Sequence, residues 1–285
     1  MKSFFLIFIF LFSTAVFAQP NTDVFLFDIS IKEGNISISN LINISDNEGY
    51  DNQPSFIDNS TVLFSSTRNK QTDILQYDIK TGNKTWLSDT QGGEYSPLQI
   101  PSKNAVSAIR LDPDGKQLLY SYDKKTGVST PLVNDLKIGY HTWISENIFI
   151  SFVLGNPPTL VVSDLKNNSN TVIDSKIGRS LHKIPNTELI SYVSKEKEDW
   201  VIRSLNPLTG VKVDIANTPD GSEDMCWMPN GTILMGKGST LYKYTPKADI
   251  NWVKIVSIKN FGLKNISRLS VSPDGTKLAL VAQKI

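Results

Sequence analysis

One pattern of four short strands recurs six times along the chain, about every 44 residues, and nothing else in the sequence constrains the fold so strongly. The residues that close the first strand of each copy mark the period. They are Ile57, Ile100, Ile144, Ile184, Met228 and Ser272, separated by 43, 44, 40, 44 and 44 residues. A turn follows each of them, as in Asp58-Asn59-Ser60, Pro185-Asn186-Thr187, Pro229-Asn230-Gly231 and Pro273-Asp274-Gly275. Pro presets φ for the first corner, and Asn, Asp and Gly tolerate the positive φ that follows. The third strand is the most uniform element, as in Ile74–Asp78, Leu118–Asp123, Leu160–Asp164, Val201–Leu205 and Leu241–Tyr244. Three of these strands run into Thr-Gly, at Thr81-Gly82, Thr126-Gly127 and Thr209-Gly210, where glycine supplies a left-handed residue. A fourth strand closes each copy, Val211–Ile215 being one example. No amphipathic helix of three turns is legible after the N-terminal segment, so the class is all-β.

The last copy is cut short. After Ser272 there is room for one hairpin turn and one strand. The missing half stands at the other end: Asp23–Asp28 has the form of a third strand, Lys32-Glu33-Gly34 of its turn, and Ile36–Ile44 of a fourth strand. A broken copy completed from the opposite terminus is what a closed ring requires. The expectation is a six-bladed β-propeller whose last blade joins N-terminal strands to C-terminal strands, as a single domain over residues 19–285.

The first eighteen residues read as a signal peptide. Lys2 is a positive start, Phe4–Phe12 is an apolar run too short to span a bilayer as a helix, and Val16-Phe17-Ala18 places small residues before a cleavage point near Ala18. The expected location is periplasmic or secreted, without stable membrane insertion. A net charge of +1 argues against a nucleic-acid partner, which would need a basic face. The only cysteine, Cys226, cannot form an internal disulfide, lies beside Trp227 in an apolar strand, and reads as a small buried hydrophobe.

The strings Leu269–Ala279 (LSVSPDGTKLA) and Thr72–Gly82 (TDILQYDIKTG) resemble the WD40-like repeats of TolB-type propellers, often called PD40. The resemblance covers nearly the whole chain after residue 18. The Gly-His and Trp-Asp signatures of true WD40 repeats are absent, and no segment matches the α/β domain that TolB carries before its propeller. The resemblance implies a propeller fold and, only loosely, a role as a partner of envelope proteins. Prolyl oligopeptidases also carry a propeller, but no Gly-x-Ser-x-Gly elbow occurs here.

Propellers present ligands at the mouth of the central channel, on the loop into each blade and the start of its innermost strand. Four places before each marker stand Gln53, Ser96, Tyr140, Ser180, Asp224 and Arg268, all polar within apolar strands. Both histidines fall in the same segments. The binding candidates are therefore Tyr95, Tyr140, His141, Arg179, His182, Glu223, Asp224 and Arg268, with no catalytic and no metal-ligating residue assigned. Two readings compete: a mixed-charge mouth that binds a ligand or peptide, and a wet channel whose polar groups meet only water. Ser180 and His182 point the same way on one strand, but no third group or oxyanion hole accompanies them. Gluconolactonase-like propellers hold a metal with Glu, Asn and Asp, and Glu223, Asp224, Glu94 and Asp51 would have to imitate that ring. Asp112-Pro113-Asp114-Gly115 reads as a hairpin turn rather than a calcium loop. Trp86, Trp143, Trp200, Trp227 and Trp252 sit mostly in strands, which favours packing between blades over a sugar-stacking platform.

The expected function is that of an exported, monomeric TolB-like module that binds an envelope or secreted protein, or a small ligand, at its channel mouth. No cofactor and no catalysis are expected. The alternative is a lactonase-like hydrolase or lyase that uses a divalent cation in the central channel.

Overall fold

The computed structural model describes residues 20–285, so the segment read as a signal peptide lies outside the described residues. Among the described residues there are 24 strands and one short 3-10 turn, Ile258–Phe261. The chain is all-β, and its antiparallel sheets follow one another in the order of a β-propeller.

β1 (Asp23–Lys32) and β2 (Asn35–Asn43) begin the chain. β3 (Asn52–Phe56), β4 (Thr61–Arg68), β5 (Gln71–Asp78) and β6 (Lys84–Trp86) form one antiparallel run, and β7 (Gly93–Gln99), β8 (Ala105–Leu111), β9 (Gln117–Asp123) and β10 (Ser129–Val133) form the next. β11 (Ile138–Trp143) to β14 (Ser169–Ser175), β15 (Ile177–Lys183) to β18 (Lys212–Asn217), and β19 (Met225–Trp227) to β22 (Val253–Ser257) are three separate four-stranded sheets. β23 (Leu263–Val271) and β24 (Lys277–Lys284) end it. The six copies of the repeat do not stand as six separate sheets. The runs β3–β6 and β7–β10 are joined in one eight-stranded sheet, and the joint is a single parallel pair, Thr72 with Gly93.

The predicted closure is present. The fifth sheet has the order β2-β1-β24-β23, so the two termini share it. β1 pairs antiparallel with β24 from Asp23 opposite Ala282 to Asp28 opposite Lys277. Alternate β1 side chains feed two cores. Phe25 and Phe27 pack with Leu278, Leu280 and Met228, while Val24 and Leu26 pack with Val281 of β24 and with Val62 and Phe64 of the neighbouring sheet. Period-two alternation with both faces buried is what an interior strand between two packed sheets requires.

The turn chemistry is as read. Gly82, Gly127 and Gly210 all have φ near +72°. Each donates its amide N–H to the carbonyl four residues back, Asp78, Asp123 or Asn206, at 2.8 Å. The side chains of those three residues accept the Thr81, Thr126 and Thr209 amides. Asp112–Gly115 is a hairpin turn. Cys226 is buried, and burial pushes its thiol pKa up. Tryptophan packing follows the repeat: Trp143 Nε1 donates to Ser107 Oγ and Trp227 Nε1 to Ser191 Oγ, both at 2.8 Å and both onto the second strand of the preceding run.

Candidate binding site at the channel mouth

The six positions that the repeat makes equivalent come together. Gln53, Ser96, Tyr140, Ser180, Asp224 and Arg268 all line one central cavity of about 90 Å³. The residue after each of them lines it too, from Pro54 and Pro97 through His141 and Leu181 to Met225 and Leu269. A cavity that touches every copy of the repeat is the axis of the ring.

The inner strands reach this cavity through irregular pairing. Register shifts fall between Asn52 and Ser55, Tyr95 and Leu98, Ile138 and Tyr140, Ile177 and Leu181, and Lys264 and Arg268. A bulge bends its strand and re-aims a side chain, here toward the axis. Gln53 and Ser96 are left-handed, at φ 55° and 53°, and each precedes a proline, which ordinarily keeps its neighbour extended. Such a residue costs on the order of 1–3 kcal/mol and persists where its surroundings hold it. Here Gln53 Oε1 accepts the Ser96 amide at 3.1 Å and the Ser65 hydroxyl at 3.0 Å. The bulges were missed in the sequence, although Pro54 and Pro97 inside innermost strands were a usable signal, because proline within a sheet is confined to edges and bulges.

Charge is organised around Asp224. Arg179 grips it with two bonds, Nε to Oδ1 at 3.1 Å and Nη2 to Oδ2 at 2.8 Å. Arg268 Nη1 reaches Oδ1 at 2.8 Å, and Arg268 Nη2 donates to the Tyr140 hydroxyl at 3.0 Å. Burial alone would lower the Arg179 pKa, but the Asp224 carboxylate outweighs it and the net shift is upward. Behind Arg179, Glu223 accepts the Arg179 amide at 3.0 Å and the Lys195 ammonium at 2.9 Å. Burial would raise the Glu223 carboxyl, yet the Lys195 ammonium, the Arg179 amide and the charge of the Arg179 guanidinium hold it below its usual range. Gly178 makes room for that contact, since a Cβ there would stand 2.7 Å from Glu223 Oε2. The network therefore sets three cations, Arg179, Lys195 and Arg268, against two carboxylates.

The histidines are neutral. Burial lowers His141 to a pKa of about 3 and His182 to about 4. His141 Nε2 lies 2.7 Å from Ser107 Oγ, the atom that also takes the Trp143 N–H. Ser180 Oγ is 3.1 Å from His182 Nε2, but it also accepts the Met225 amide at 3.2 Å and stands 3.3 Å from the Met225 carbonyl. That hydroxyl is tied to the backbone of the next sheet rather than poised for attack.

Six of the eight candidates border the cavity: Tyr140, His141, Arg179, His182, Asp224 and Arg268. Glu223 stands behind Arg179. Tyr95 borders a second cavity of about 260 Å³ with Tyr50, Leu111 and Leu154; Gln53 and Tyr140 are common to both cavities. The imagined carboxylate ring is not assembled. Glu94 is fully buried in the joint of the eight-stranded sheet, bonded to Ser88 Oγ at 3.4 Å and Tyr122 Oη at 3.1 Å. Burial raises its carboxyl to about 7, with the neighbouring Asp73 adding to the shift. Asp51 is also fully buried, and neither residue borders the central cavity. Their segment was right and their direction was not: Asp51 and Glu94 each stand six places before their markers, against five and four for Glu223 and Asp224, and the register shift that follows each of them breaks the alternation of side chains along the strand.

No family model matches the chain, and no curated protein matches it. Solved structures do. A putative TolB from Agrobacterium tumefaciens superposes with a TM-score of 0.70 and 11% identity, covering 93% of this chain and 99% of that one. TolB from Acinetobacter baumannii superposes with a TM-score of 0.59 and 14% identity, and the match covers 93% of this chain and 64% of that one. An oligogalacturonate lyase in complex with manganese superposes with a TM-score of 0.52 and 14% identity over 94% of this chain and 98% of that one. At such identities the likeness speaks for architecture alone, and the architecture is that of a TolB-like β-propeller.

Proposed function

We propose that the chain is an exported six-bladed propeller that binds an envelope or secreted partner, or a small ligand, through its channel mouth and carries out no catalysis there. The blade count takes the eight-stranded sheet as two blades, since one parallel pair alone joins its halves. The observation that carries the reading is the convergence of all six equivalent positions on one cavity, with Arg179, Asp224, Arg268 and Tyr140 linked across it. Two left-handed residues that precede prolines, Gln53 and Ser96, stand at that ring, a kind of strain that a binding site tolerates and a plain structural channel does not need. The mature protein starts after residue 18, acts as a monomer in the periplasm or outside the cell, and needs neither cofactor nor nucleic acid.

A divalent-metal lyase or hydrolase is the second reading, favoured by the likeness to the manganese-bound oligogalacturonate lyase. Against it stands the placement of Glu94 and Asp51 away from the axis. Photo-crosslinking decides between a functional mouth and a wet channel. A photoreactive phenylalanine analogue at position 140 is compared with one at Leu208, an exposed turn residue far along the chain from any inner strand. The reading predicts a crosslinked species from position 140 and none from 208. Crosslinks from 208 alone, or from neither position, contradict it.

A further inference from the structure

We infer that the mouth recognises a monoanionic carboxylate borne next to an aromatic or branched apolar group, with Arg179 and Arg268 meeting the carboxylate and the Tyr50–Tyr95–Tyr140 wall seating the apolar body. The inference rests on the reading of the mouth as a binding site.

Charge is the first argument. Two arginines share the single carboxylate of Asp224, and Lys195 is matched by Glu223, so one positive charge is left over at the axis. One unit in excess suits a monoanion rather than a dianionic phosphate. Donor supply is the second. A guanidinium carries five N–H donors. Arg179 spends two on Asp224, and Arg268 spends its bonds on Asp224, the Ser267 carbonyl and Tyr140. Donors remain on both. Half-burial strengthens whatever they bind, because the local dielectric is below that of water.

Size is the third. The axial cavity of about 90 Å³ has room for a carboxylate and falls well short of the roughly 300 Å³ at which sites for whole small ligands begin. The adjoining cavity of about 260 Å³ is walled by Tyr50, Tyr95, Tyr140, Ile109, Leu111 and Leu154. The Tyr50 and Tyr95 rings meet edge to face at 6.1 Å. The Arg268 guanidinium lies 5.3 Å from the Tyr140 ring centroid, so the anion and aromatic subsites touch. The two cavities together reach the lower end of small-ligand sites, roughly 300–1,000 Å³. Two sources share this chemistry: the C-terminal residue of a protein, and a free arylalkyl or branched-chain acid.

The test is calorimetry on the intact protein after residue 18. N-acetyl-phenylalanine and an N-acetylated pentapeptide ending in phenylalanine are each titrated as free acid and as C-terminal amide, at low and at moderate salt. The acid is expected to bind at least tenfold tighter than its amide, with the difference shrinking as salt rises. Binding by the short acid points to a small-molecule ligand, and binding by the pentapeptide acid alone points to a protein C-terminus. Asp224→Asn frees both arginines and should tighten the acid several-fold without tightening the amide. Arg268→Gln should bring the acid down to the level of the amide. Equal binding of acid and amide to the unmodified protein overturns the inference, whatever the variants do. If acids fail while position 140 still crosslinks, the carboxylate inference falls alone; if both fail, the reading of the mouth falls with it.

Discussion

Phe27→Ala tests the closure of the ring. Phe27 is fully buried in β1, pairs with Leu278 of β24, and sets its ring edge-on to Phe261 at 5.1 Å. Truncating a buried phenylalanine costs about 3–5 kcal/mol, the lost transfer energy plus the cavity left behind. For a domain of this size each kcal/mol moves Tm by roughly 2–4 °C, so a fall of about 6–20 °C is expected. Val172→Ala on β14, where the side chain is 64% exposed, is the control and should change stability by less than ~0.5 kcal/mol. Urea unfolding followed by far-UV circular dichroism and by tryptophan fluorescence measures both variants. All five tryptophans lie outside β1, so coincident shifts in the two signals show that the N-terminal strand belongs to the cooperative unit. A Phe27→Ala midpoint equal to that of the control would mean that β1 does not close the ring through its buried face. Deleting residues 23–45 is the severe form. It removes Val24, Phe25, Leu26, Phe27, Ile38 and Ile44 from the core, at ~1.5–3 kcal/mol each. That matches or exceeds the roughly 5–15 kcal/mol that holds a domain together, so no stable fold should remain.

Other expectations follow from single contacts. Ser107→Ala strands both Trp143 Nε1 and His141 Nε2 in a buried site, at ~1–3 kcal/mol each, whereas Ser191→Ala strands only the half-buried Trp227 Nε1; equal losses in denaturant midpoint would show that the repeat-spaced tryptophan contacts do not differ as described. The two histidines are held below their unfolded pKa, so the stability they contribute is present above about pH 6.5 and fades as pH falls toward 4 and 3. Glu94 is raised, so its contribution is present below its ordinary range and fades as pH rises through about 7. Two histidines outweigh one carboxyl, so between about pH 6.5 and 4.5 the Glu94 slope should offset about half of the loss, and the full loss should follow below it; in Glu94→Gln the loss should run about twice as steep from near pH 6.5, and a pH profile identical to the unmodified protein would contradict this assignment. Gly178→Ala should push Glu223 from the Arg179 amide and weaken binding at the mouth while the unfolding midpoint falls by only ~1–2 kcal/mol in equivalent stability; full retention of ligand affinity would count against a supporting role for Glu223.

The ring was legible because its signals are local and repeated. Thr-Gly after a third strand means the same left-handed corner three times over, and the half-copies at the two ends have no other place to go. The inward positions were legible for the same reason: a fixed offset from the first turn picks out Gln53, Ser96, Tyr140, Ser180, Asp224 and Arg268. Contacts between copies were not legible. Nothing in the spacing says that Arg179 reaches across to Asp224, 45 residues on, or that Arg268 meets Tyr140, 128 residues back. The carboxylates show the limit. Glu94, inside β7, stands six places before its marker and Glu223, before β19, stands five: Glu223 finds Lys195 and the Arg179 amide, whereas Glu94 turns into a seam with Asp73 and Tyr122. Which way each one turns depends on its bulge and its neighbouring sheet, and both are long-range facts. The joining of β5 to β7 through one parallel pair was likewise invisible, because a single bridge leaves no pattern in sequence.

The six repeat starts line one cavity, and the proposed binding there can be seen directly. A crystal structure of the protein with a free-acid ligand, or with the partner recovered by crosslinking, measures it most directly. Ligand density is expected over Gln53, Tyr140, Arg179 and Arg268, with an anionic group within hydrogen-bond reach of the two guanidinium groups. Density confined to the outer strands, against β14 or β18, with the axial cavity holding water alone, would contradict it.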